Sequence, residues 1–249
     1  MRFFLISLAI AAVSLIPHGA YQFQLDVPLA LRIVLMPLAE GLHYMAVFFH
    51  ESGHAIVYWL FGTPAFPLID VVHGGGVTYS FGRSKMLLAG IYALMSAGVL
   101  LLIYAHKWRE AAMLAVFIAL HGLLTWLGWG SRLAVFMGHG SESLVACWCL
   151  WRALDPKFSH GSLERYVTLV TGLHLAGRAL LLSAALQTHE MRRMSYTVQK
   201  GKRGSADLDV FAKMTGLTIQ DTAALLGLFF AICLAVTLGL LYKRRRNGA

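Results

Sequence analysis

The segment His50-Glu51-Ser52-Gly53-His54 is an H-E-x-x-H pattern inside an apolar, helix-prone run. Residues four apart share a helical face, so His50 and His54 can turn both imidazoles toward one metal ion while Glu51 lies beside it. Zinc in such a place lowers the pKa of a water to about 7, and a carboxylate can then take the water's proton and pass it to a leaving amine. The spacing therefore fits metal-assisted amide hydrolysis, with His50 and His54 as metal ligands and Glu51 as general base. A chance match is expected in roughly 1% of chains with this His and Glu content. Two imidazoles and a carboxylate in mid-helix are also costly to bury in lipid, and such groups usually mark a site.

A catalytic zinc usually takes three protein ligands. The run from Leu133 to Trp151 is apolar except for Gly138-His139-Gly140-Ser141-Glu142. His139 and Glu142 are three apart and so share a face, and the flanking glycines allow close approach or a local break in the helix. One of the two is expected to ligate and the other to support it. The loop holding Asp70 and His73 is a weaker source, because its polar groups can be solvated at no cost. His43, about two turns before His50, is expected to line an interface or pore. His121 and His174 sit singly in apolar runs, where packing is the simpler role.

These groups need a scaffold, and composition says which kind. Of 249 residues, 58% are hydrophobic and 13% charged, with a mean hydropathy of +0.65. That excludes disordered, collagen-like and disulfide-scaffold classes and predicts an all-α, polytopic helical membrane protein of about 6–7 transmembrane helices, one integral membrane domain over residues 1–249. The runs are Phe3–Ile16, a long stretch Val27–Phe61, Met86–Ala105, Ala111–Trp129, Leu133–Trp151, Tyr166–Leu186 and Ala223–Tyr242. The long stretch, with Pro28 and Pro37, is expected to divide into a lead-in and a main helix from about Leu42. Phe3–Ile16 has the length of a signal-peptide core with Pro17-His18-Gly19-Ala20 as a cleavage zone, but the many spans that follow favour an uncleaved first helix. Residues 62–84 contain Gly74-Gly75-Gly76 and the β-prone Val77-Thr78-Tyr79, a possible strand or hairpin near residues 74–80. Gly75, Gly76, Val77 and Thr78 are the candidates for pairing with an unwound substrate peptide. Residues 187–221 read as a polar, basic loop. Cys147, Cys149 and Cys233 lie in apolar runs and read as packing residues. The net charge of +9 falls mainly between and beyond the apolar runs, which points to bilayer contact and not to nucleic acid.

The block His50 to Ala55, followed by Phe61-Gly62, Gly74-Gly75-Gly76-Val77-Thr78 and the small-residue run Ala89-Gly90 to Ala97-Gly98, resembles the M50 intramembrane metallopeptidases, in particular the M50B-like branch of the site-2 protease clan. The resemblance covers about residues 45 to 105. It implies zinc (Zn2+) as cofactor on His50 and His54, water activation by Glu51, a carboxylate from a later core helix as third ligand, and a membrane protein or peptide as substrate. On that ground Glu142 is preferred as the direct ligand, with His139 behind it. The family's usual third-ligand pattern, Asp followed by Gly, does not occur in a later helix of this chain. The implied setting is a multi-pass protein of the cytoplasmic membrane of a bacterium. Two other functions use similar groups: a non-proteolytic metal-binding scaffold of the same build, which needs the two His but not Glu51, and a transporter, which would show paired broken helices in related halves.

Overall fold

The computed structural model describes residues 2–26, 28–71, 74–155, 161–198 and 206–247; His73 lies outside them. In chain order the elements are α1 (Arg2–Phe23), α2 (Leu29–Leu60), β1 (Ala65–Asp70), β2 (Gly75–Ser80), α3 (Lys85–Tyr104), α4 (Trp108–Trp126), α5 (Gly130–Leu154), α6 (Ser162–Thr188), α7 (Glu190–Val198), α8 (Asp207–Thr215) and α9 (Ile219–Asn247). Seven of these helices, all but α7 and α8, are long and apolar enough to cross a membrane. The chain is a polytopic helical membrane protein carrying one small sheet.

Three elements differ from the sequence reading. The long stretch is not divided: α2 is one helix of 32 residues with Pro37 inside it, about 48 Å long and so longer than a hydrocarbon core of about 30 Å. Likewise α1 does not stop near Ile16 but continues to Phe23 through Pro17, since a membrane helix can lose one backbone bond at proline and continue. Residues 17–20, the would-be cleavage zone, thus lie inside the last turns of α1, with Ala20 buried. Residues 187–221 hold two short helices where a loop was expected.

Helix pairs in lipid gain little from the hydrophobic effect, so close backbone approach and interhelical hydrogen bonds hold them. The α2–α5 contact shows both. A Cβ at Gly53 would lie 2.5 Å from Ser141 Cβ and closer to the Met137 carbonyl, and Ser141 Oγ donates to the Phe49 carbonyl at 2.7 Å. Elsewhere Ser183 ties α6 to the Ala223 carbonyl of α9 at 2.7 Å, and His174 of α6 meets Ser14 of α1 at 2.8 Å. The centre is filled by Ala46, Ala146, Cys147, Leu175, Ala176 and Phe230; the cysteines are free thiols. A neighbouring cluster joins Phe136, Leu182, Leu186 and Leu226 to Leu208 and Phe211 of α8. Leu208, Phe211 and Ala212 follow the helical i, i+3, i+4 spacing, and their burial pulls α8 back onto the bundle.

The sheet is an antiparallel hairpin with Ala65 opposite Ser80 and Asp70 opposite Gly75. It lies along α2. Trp59 Nε1 donates to the Ala65 carbonyl at 2.6 Å near its base, and Tyr44 donates to the Val71 carbonyl at 3.0 Å near its tip. The strand expected near residues 74–80 is β2.

Candidate metal centre

His50 and His54 face one way from α2, their Nε2 atoms 3.1 Å apart. Asp207 Oδ2, from the first residue of α8, lies 2.7 Å from His50 Nε2 and 3.4 Å from His54 Nε2. Ligands at about 2.0–2.2 Å around a tetrahedral ion stand roughly 3.3–3.5 Å apart, so to accommodate one the two Nε2 atoms separate by a few tenths of an ångström and Asp207 draws back from His50 by about 0.6–0.8 Å.

The far nitrogens decide where the protons are. His54 Nδ1 lies 2.7 Å from the Ala134 carbonyl, which can only accept, so Nδ1 carries the hydrogen and Nε2 presents a lone pair. His50 Nδ1 lies 2.9 Å from Glu142 Oε1, and Arg178, with Nε 3.5 Å from Glu142 Oε2, favours the carboxylate form. His50 Nε2, 2.7 Å from Asp207 Oδ2, donates to that carboxylate and presents a lone pair once that proton is given up. Two imidazole nitrogens and a carboxylate oxygen thus converge, with the Nδ1 protons of both histidines committed elsewhere. Burial alone would raise the Asp207 carboxyl, but the imidazoles of His50 and His54 outweigh it and hold the group well below the usual carboxylate range.

Helix α5 reaches this face because residue 138 is glycine: a Cβ there would lie 2.6 Å from His50 Nε2 and nearer still to His54 Nε2. Gly138 therefore gives close approach, neither glycine breaks the helix, and α5 is continuous. Glu51 is 6% exposed, and its carboxylate lies within 4.8 Å of donor atoms of both histidines. Thr78 of β2 holds it, with Oγ1 2.7 Å from Glu51 Oε2 and 2.9 Å from the Glu51 carbonyl. Over the other oxygen sits Gly76, where a Cβ would meet Glu51 Oε1 at 2.8 Å.

The segment expected to supply the third donor does pack on the histidine pair. Glu142, however, meets His50 at Nδ1, the nitrogen turned away from His54, and His139 stacks edge-on against His50 at 4.5 Å between centroids with Nδ1 3.2 Å from the same Glu142 oxygen. His50, His139 and Glu142 form a donor group of their own within 4.8 Å. Asp207, which the sequence reading did not single out, closes the other side. The one signal that could have found it is the Leu208, Phe211, Ala212 stripe directly after it, ended by Gly216 at φ +75°, a short amphipathic helix in an otherwise polar stretch.

The hairpin is wired to the same centre. His43 Nε2 donates to the Gly74 carbonyl at 2.8 Å, and its Nδ1 accepts from Arg178 Nη1 at 2.9 Å; Arg178 in turn faces Glu142. His43 is thus an interface residue, as expected. His121 packs as expected too, between Tyr92 at 3.0 Å and the Leu60 carbonyl at 3.1 Å. The centre opens into a cavity of about 310 Å³ lined by α1, α2, β2, α5, α6, α7 and α8.

No curated protein and no solved structure matches the chain. A family model, Peptidase M50B-like, matches residues 5–240. A match of that extent, on a chain whose H-E-x-x-H helix sits at its polar centre, makes this protein a member of the M50B-like peptidase family.

Proposed function

We propose that the chain is a zinc-dependent intramembrane endopeptidase that hydrolyses a peptide bond in a membrane-embedded or juxtamembrane segment of another membrane protein or peptide. His50, His54 and Asp207 would hold the ion, with Glu142 fixing the tautomer of His50 and His139 packing behind it. The observation that carries this reading is the convergence of the Nε2 atoms of His50 and His54 on Asp207 Oδ2, where a cation can take the place of the His50 Nε2 proton. The donor set, two imidazoles and a carboxylate, suits zinc. The chemistry a zinc ion supplies in such a setting is Lewis acidity, which acidifies water and polarises a carbonyl.

The chain's own groups do the rest. Glu51 Oε1, the oxygen not held by Thr78, takes a proton from the attacking water and returns it to the leaving amide nitrogen, so that one C–N bond is exchanged for C–O and N–H. Thr78 fixes the rotamer that keeps Glu51 turned to the centre. Among the described residues β2 pairs only with β1, so its second edge is available to a substrate segment that has left its own helix and needs main-chain partners. Gly75 and Gly76 let that segment run close to Glu51, and Val77 and Thr78 continue the edge.

The test is a pair of variants. Glu51→Gln should keep one zinc per chain and lose cleavage, read as the disappearance of new N-termini among membrane proteins of cells that carry the parent chain. His50→Ala with His54→Ala should lose the zinc. Unchanged processing by Glu51→Gln would remove the peptidase reading and leave a metal-binding scaffold.

A further inference from the structure

Contacts in series join the tip of the hairpin to the metal centre. The Gly74 carbonyl accepts from His43 Nε2 at 2.8 Å, and His43 Nδ1 accepts from Arg178 Nη1 at 2.9 Å. Arg178 Nε faces Glu142 Oε2 at 3.5 Å, and Glu142 Oε1 meets His50 Nδ1 at 2.9 Å. His43 can serve this series in one tautomer only. A carbonyl accepts and a guanidinium donates, so the ring carries its hydrogen on Nε2 and offers a lone pair at Nδ1.

The contact between Arg178 and Glu142 differs from the rest. Charge-assisted bonds between a guanidinium and a carboxylate close to about 2.7–2.9 Å and are frequently bidentate. Arg178 stops short of that, and its buried Nε has no hydrogen-bond partner. Among the described residues its one hydrogen bond is the one to His43. The guanidinium also has space beside it, since His43, Gly74 and Arg178 line both the metal cavity and a second cavity of about 320 Å³. Released from His43, it would close on Glu142 as a fork. A carboxylate gripped in that way turns from His50 Nδ1 and shares less of its charge with it.

We propose that His43 and Arg178 are positioning residues of the metal centre: the hairpin tip holds His43, His43 holds Arg178 off Glu142, and Glu142 is thereby kept for His50. The orientation of His50 then depends on where the Gly74 carbonyl sits, so a segment pairing with β2 acts on the metal centre through this relay. This rests on reading the centre as a zinc site served by a substrate-binding hairpin, and adds to it the control of the site by the hairpin.

The test uses the full-length chain in detergent and needs no cleavage. Zinc affinity is read by competition with a fluorescent chelator, and donor geometry by the d–d spectrum of the cobalt-substituted protein. His43→Leu touches none of the metal donors. It should nonetheless lower zinc affinity about 10-fold, the low end for partners of metal-bound histidines, and shift the cobalt spectrum. His43→Gln should return both to within about threefold of the parent, because an amide can donate to Gly74 from its nitrogen and accept from Arg178 at its oxygen. Gly74→Val, opposed by a φ of +68°, moves the same carbonyl from the hairpin side and should act as His43→Leu does. Tyr44→Phe loses the other contact at the tip, to the Val71 carbonyl, and should leave both readouts unchanged. If thermal unfolding shows that His43→Leu does not fold, Gly74→Val set against Tyr44→Phe makes the same comparison. Parent-like affinity and spectrum in His43→Leu and Gly74→Val overturn the relay alone. So does a loss that His43→Gln fails to restore, or an equal loss in Tyr44→Phe, which would make docking of the hairpin the cause. A parent chain that binds no zinc overturns the reading of the centre and the relay with it.

Discussion

Helices α5 and α6 and the hairpin of α3 and α4 have similar lengths but opposite surroundings. In the spanning windows of α5 and α6, 61% and 67% of residues are buried; in α3 and α4 the figures are 0% and 11%. The polar content runs the other way from a water-soluble fold. The central helix α5 carries His139, Ser141, Glu142 and Ser143, with Glu142 and Ser143 buried, whereas α3 is almost wholly apolar and buries none of its residues. In a bilayer the outside is the apolar solvent, so a uniformly apolar helix has no reason to leave the surface, and a helix with ionisable groups must turn them inward to find partners. The α3–α4 hairpin meets the body near His121, which stacks on Phe61 at 4.5 Å and meets the Leu60 carbonyl. The centre gathers the polar groups, and the hairpin presents an apolar surface outward.

The same substitution placed in each region sharpens this contrast most. Gly138→Ala puts a Cβ into the space between the two imidazoles, whereas a Cβ at Gly90 of α3 meets nothing within 4 Å. Gly138→Ala should abolish zinc binding and lower stability by about 1–3 kcal/mol, as overpacking does. Gly90→Ala should leave zinc unchanged and be neutral or stabilising by up to about 1 kcal/mol, as helix propensity dictates. Metal analysis and thermal unfolding in detergent check both, and equal effects at the two sites would erase the distinction.

Next in size is Glu142→Gln, which keeps shape and loses the charge that orients His50. Zinc affinity should fall about 10–100-fold, as for other partners of metal-bound histidines. A competition titration with a fluorescent chelator reads it. Thr78→Val follows. It removes the hydroxyl that holds Glu51 and should lower kcat about tenfold, the range for a misplaced catalytic group, with zinc content intact; loss of zinc instead would make Thr78 a structural support of the metal site. The smallest effect is His121→Leu. It removes two interhelical hydrogen bonds and should cost about 0.5–1.5 kcal/mol without changing zinc affinity, because the hairpin lies apart from the donors.

The same contrast explains what could be read from the amino-acid order. Spans are legible because lipid demands long apolar runs, and α3, α4, α6 and α9 begin and end within a few residues of the predicted runs. The histidine pair and Glu51 are legible because i, i+1 and i+4 on one helix are local relations. Residues 74–80 form the expected strand through local β propensity, reinforced by Thr78 docking on Glu51. Asp207 is a different case. It lies 157 residues from His50 in sequence, in a polar stretch where a carboxylate ordinarily faces water, and only the burial of Leu208 and Phe211 against Phe136 and Leu186 carries it inward. The cost of burying charge pointed to His139 and Glu142 because they sit in an apolar run. In the structure Glu142 lies against His50 Nδ1 and faces Arg178.

Zinc affinity of Asp207→Ala, set beside that of Glu142→Ala in the full-length protein, bears on the donor assignment without any need for a substrate. If His50, His54 and Asp207 hold the ion, Asp207→Ala should lose more than about 100-fold in affinity and Glu142→Ala no more than that. If Asp207→Ala binds zinc as tightly as the parent chain while Glu142→Ala releases it, the third donor lies on α5 and Asp207 is not a ligand.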